Sequence, residues 1–94
     1  MSTVVAERRL VYSKKGSSDM HELVIRIGAP YVGKDGIARC PVEWKGLFEE
    51  FADMCGTDSL QALQLAANVD SMLEKLRNKY DFYWPSGEAY FEDA

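Results

Sequence analysis

The sequence predicts an α+β fold: an antiparallel sheet of three to five strands with one long helix, about residues 58–79, packed on one face. Three observations carry that reading. Residues 20–28 alternate cleanly, with Leu23, Ile25 and Ile27 on one face and Glu22, Val24 and Arg26 on the other. Residues 37–44 alternate too, with Ala38, Cys40, Val42 and Trp44 in one phase. From Ser59 to Lys79 there is neither Gly nor Pro, and apolar residues recur at threes and fours. With 94 residues the chain forms one domain, 1–94.

Taken in order, residues 4–12 are a β-rich stretch with Val4, Ala6, Leu10 and Tyr12 in phase, and Arg8 breaks that phase. Residues 13–19 have the composition of a turn. Gly33-Lys34-Asp35-Gly36 is a second turn, so the first half is expected to be a meander. Pro41 has no N–H to donate, which makes its strand an edge or breaks it there. Residues 47–55 fit an irregular connection or a short helix equally well. Asp58 can cap the helix that comes next, with Gln61 placed as the reciprocal side chain of a capping box. Its stripe runs through Ala62, Leu65, Ala66, Val69, Met72, Leu73, Leu76 and Tyr80. Lys75, Arg77 and Lys79 suit the negative end of its dipole. Pro85-Ser86-Gly87 between aromatics then predicts a C-terminal hairpin.

Composition removes several functions. The formal net charge is −4 and the pI about 4.9, which argues against a nucleic-acid partner. No apolar run reaches the length of a membrane span, and no membrane partner is expected. The N-terminus does not resemble a secretory leader, so a cytoplasmic location is expected, with Cys40 and Cys55 as free thiols. One His and two Cys, without metal-ligand spacing, give no metal site, and no cofactor is implied. His21 has no sequence partner that would make a catalytic dyad, so no catalytic residue is assigned. Charge is nonetheless uneven: residues 1–45 carry +3 and residues 46–94 carry −7. Six of the eleven aromatic residues fall between Tyr80 and Phe91.

The blocks Arg26-Ile27-Gly28-Ala29-Pro30 and Gly56-Thr57-Asp58-Ser59-Leu60-Gln61-Ala62-Leu63 resemble a family of small bacterial proteins known only as a domain of unknown function. Cys40-Pro41 with Gly46-Leu47, and Tyr83-Trp84-Pro85 with Gly87-Glu88, are similar too. The resemblance implies a small α+β bacterial domain and no particular activity.

Three functions arise as expectations. The first is a non-catalytic protein-binding module, immunity-like or regulatory, docking a basic protein through Glu49, Glu50 and Asp53 and through exposed Tyr83 and Tyr90. A solvated acidic face is the simpler explanation of those acids taken alone. The second is a homodimer or other homo-oligomer pairing through an open strand edge. The third is an enzyme or ligand-binding protein with a pocket between helix and sheet, where Tyr12, His21 and Asp58 would converge.

Overall fold

The computed structural model of the chain describes residues 3–48 and 53–92. It begins with a long antiparallel hairpin. β1 (Val4–Lys14) pairs with β2 (His21–Gly28) so that Leu10 lies opposite Leu23, Arg8 opposite Ile25 and Tyr12 opposite His21. The turn between them is closed by the Ser17 N–H, which donates to the Lys14 carbonyl at 2.9 Å. Leu10, Leu23 and Ile25 are buried on one face. The other face carries cross-paired charges, among them Arg26 to Glu7 at 2.8 Å and Arg9 to Glu22 at 2.7 Å. A bulge at Val5 shifts the register near the start of β1.

The alternating stretch 37–44 is broken at Pro41, and its halves serve different sheets. β5 (Val42–Lys45) continues the first sheet beside β2, Trp44 opposite Ile25. β4 (Ala38–Cys40) instead lies between β3 (Tyr31–Val32) and β6 (Met54–Gly56) in a second antiparallel sheet. The physical cause is the missing donor: Pro41 offers only its carbonyl, which accepts from the Gly28 N–H at 2.9 Å. Three-residue β6 has no alternation long enough to read from sequence. It exists because β4 supplies the pairing and because Gly56 admits a helix beside it.

That helix is the expected one, with a bend. α1 (Ser59–Ala67) and α2 (Val69–Leu76) meet at Asn68, whose φ −78° and ψ 58° leave the helical region. Asp58 caps α1 as expected, its carboxylate accepting from the Gln61 N–H at 2.8 Å. The Gln61 side chain accepts from the Thr57 N–H at 2.6 Å, one residue before the usual capping-box partner. Ala62 and Ala66 pack on Ile27, Ala38 and Cys40, whereas Val69 and Leu73 pack on Leu10, Tyr12, Leu23, Ile25, Trp44 and Phe82. One apolar line thus covers two sheets that part at Pro41, and the bend lets it track both. Asn is among the weaker helix formers, which suits it to the break, although its side chain makes no capping bond here. Asp70 in the first turn of α2 favours restarting the helix there.

The helix ends at Leu76, three residues short of the expected 79, and residues 77–79 form a turn into β7 (Tyr80–Tyr83). Tyr80 therefore begins a strand, yet it still packs against the core that the helical stripe reaches. β7 lies on the far side of β1, giving the order β5-β2-β1-β7. The expected C-terminal hairpin comes next: the Trp84 N–H donates to Glu88 at 2.8 Å, and Gly87 adopts φ 97°. The described chain is drawn out, 46 × 27 × 20 Å, with a radius of gyration of 14.6 Å against about 12 Å for an average domain of this length.

Candidate docking groove at the helix bend

The apolar stripe legible in this sequence takes up about a third of the helix circumference, and Leu65 and Met72 fall at one edge of it. Ala62, Ala66, Val69 and Leu73 are the covered positions. Leu65 and Met72, seven residues apart on the flank of that line, remain 42% and 41% exposed. They form one wall of an open groove of about 340 Å³. Val42 and Trp44 of β5 and Met54 of β6 line it from the sheets, so both sheets and both helical segments contribute. Phe48 extends the apolar surface beside it, its ring 5.7 Å from that of Trp44. Among the described residues Lys75 is the one charged side chain in the lining, with Asn68 and Ser71 as its polar members. Methionine and leucine around a tryptophan give a soft, adaptable contact surface.

Of the residues expected to contact a partner, Asp53 precedes β6, and Tyr83 and Tyr90 lie in β7 and the C-terminal hairpin. Glu49 and Glu50 lie outside the described residues. Asp53 is exposed beside Met54 and accepts a hydrogen bond from the Tyr31 hydroxyl, which pushes the phenol's pKa up. Tyr83 is half-buried in β7, opposite Val11. Tyr90 is half-buried as well and is tied into the fold. Its hydroxyl accepts from Arg8 at 2.6 Å and donates to Asp70. Burial, then the bond to Asp70, raises its pKa. The Arg8 guanidinium also sits 5.5 Å from the Trp84 ring and 3.8 Å from Asp70. Tyr90 thus fastens β1, α2 and the C-terminal hairpin to one another. Arg8, the residue that breaks the apolar phase of β1, is the other half of that fastening.

Tyr12 and His21 are cross-strand neighbours, whereas Asp58 stands at the start of α1. The Tyr12 hydroxyl donates to the Gly46 carbonyl at 2.5 Å, and burial raises its pKa. His21 is exposed with its ring 5.4 Å from Tyr12, and Asp58 caps α1. Both cysteines are free. Cys40 is buried, its thiol donating to the Gly28 carbonyl at 3.3 Å and its pKa raised by burial, while Cys55 is exposed. Among the described residues no three His, Cys, Asp or Glu side chains gather as metal ligands. No helix of the described residues is long and apolar enough to cross a membrane.

Sequence reasoning identifies Leu65 and Met72 only as core. Their signal is position: both fall at one edge of the stripe, away from Ala62, Ala66, Val69 and Leu73. No protein-family model, curated protein or solved structure matches the chain.

Proposed function

We propose that this chain is a non-catalytic protein-binding module whose docking surface is the groove at the helix bend. The observation that carries the reading is the pair Leu65 and Met72, large apolar side chains left about two-fifths exposed beside Trp44 and Met54. Exposed apolar side chains gathered in a concave site are the usual anchor of an interface. A basic partner fits best, because residues 46–94 carry a formal charge of −7 and would steer it. Asp53 and the sequence-adjacent Glu49 and Glu50 shortly precede Met54, so acids flank an apolar anchor in the chain.

The test is capture from native cytosol by the immobilised protein and by its Met72→Lys and Leu65→Glu variants, each verified as folded by circular dichroism. A stoichiometric partner that stays bound in salt and is lost with either substitution is the expected result. Capture that survives both substitutions overturns the groove as the docking surface. Lysine replacement of Glu49, Glu50 and Asp53 together separates steering from anchoring: it slows association without abolishing the complex.

Self-association is a second reading, favoured by one observation. Between residues 4 and 10, β1 pairs with β2 on one side, and no described strand pairs with it on the other. The bulge at Val5 and the charges at Glu7, Arg8 and Arg9 are devices that blunt such an edge, which places this reading second. Light scattering across a hundredfold concentration range distinguishes it, since a constant monomer mass removes it.

A further inference from the structure

We draw no further inference here: the strongest candidate, the cross-strand row Tyr31–Arg39–Cys55 on the three-stranded sheet, carries nothing because it is a lone exposed cysteine beside a guanidinium, and nothing in the structure points to a ligand for it.

Discussion

Leu73 and Met72 are neighbours in α2 with opposite environments, and truncating each separates core from surface. Leu73 is fully buried, in the cluster that holds Leu10, Leu23 and Ile25. Leu73→Ala removes its transfer energy and leaves a cavity, at a cost of roughly 2–5 kcal/mol. A domain of this length has a total stability on the order of 5–14 kcal/mol, so that is a large share. At about 4–8 °C per kcal/mol, the melting temperature should fall by roughly 8–40 °C. Met72 is 41% exposed in the groove wall, so much of its surface is already in water. Met72→Ala should therefore cost below about 1 kcal/mol, because only its buried portion returns to solvent. Thermal and urea unfolding monitored by circular dichroism at 222 nm measure both. Comparable losses from the two variants would refute the assigned helical face, and with it the groove. A stable Met72→Ala protein that no longer holds its partner would tie that face to function.

Other perturbations probe different parts of the molecule. A Cβ on Gly56 would lie 2.5 Å from the backbone nitrogen of Ala62, so Gly56→Ala must push β6 and α1 apart. Overpacking of this kind costs about 1–3 kcal/mol, and a melting temperature within a degree of the parent would contradict the close approach. Hydrogen bonds from Arg39, then one from the Ile37 N–H, hold the Asp35 carboxyl at about 2, below its ordinary 3.8. Because the folded-state pKa is depressed, the stability it contributes is present above about pH 4 and is lost as pH falls through 2. Asp35→Asn should lower the melting temperature at pH 7 and converge with the parent near pH 2; parallel curves would remove the linkage. Gly33→Ala puts a Cβ 2.4 Å from the Arg39 guanidinium, so NMR titration should find the Asp35 pKa moved back up. Tyr90→Phe deletes the hydroxyl that joins Arg8 to Asp70 and should cost about 1 kcal/mol, with faster amide exchange in the C-terminal hairpin. Unchanged exchange there would show that the hairpin is held by its apolar contacts alone.

The alternation at 20–28 is decisive because only one face of β2 meets the helix, and a period of two has no other explanation. Pro41 announces a break, since a residue without a donor cannot continue a ladder on both sides. The path of the chain beyond that break depends on pairing with distant residues, and the short strands β3 and β6 carry no period of their own. Asn68 is hidden inside a helical pattern because its cause is tertiary: the bend answers the divergence of two sheets. The candidate site is legible only as one edge of an ordinary apolar stripe. Leu65 and Met72 fit the helical stripe as well as Leu73 does, and nothing local says which the sheet will reach. Arg8 gives the opposite signal, a polar residue in an apolar phase, and its partners Tyr90 and Asp70 stand more than sixty residues away in sequence.

The crossing at Pro41 and the bend at Asn68 both lie where the four-stranded sheet gives way to the three-stranded one. The Gly28 N–H, donating to the Pro41 carbonyl at 2.9 Å, ties the sheets together at that point. The groove is lined from both sides of that line, by Trp44 and Met72 beside the larger sheet and by Met54 and Leu65 beside the smaller. Anything seated in it would touch both sheets at once and slow the opening of each. Occupancy should then be visible far from the contact, as slower amide exchange in β3 and in β7 alike.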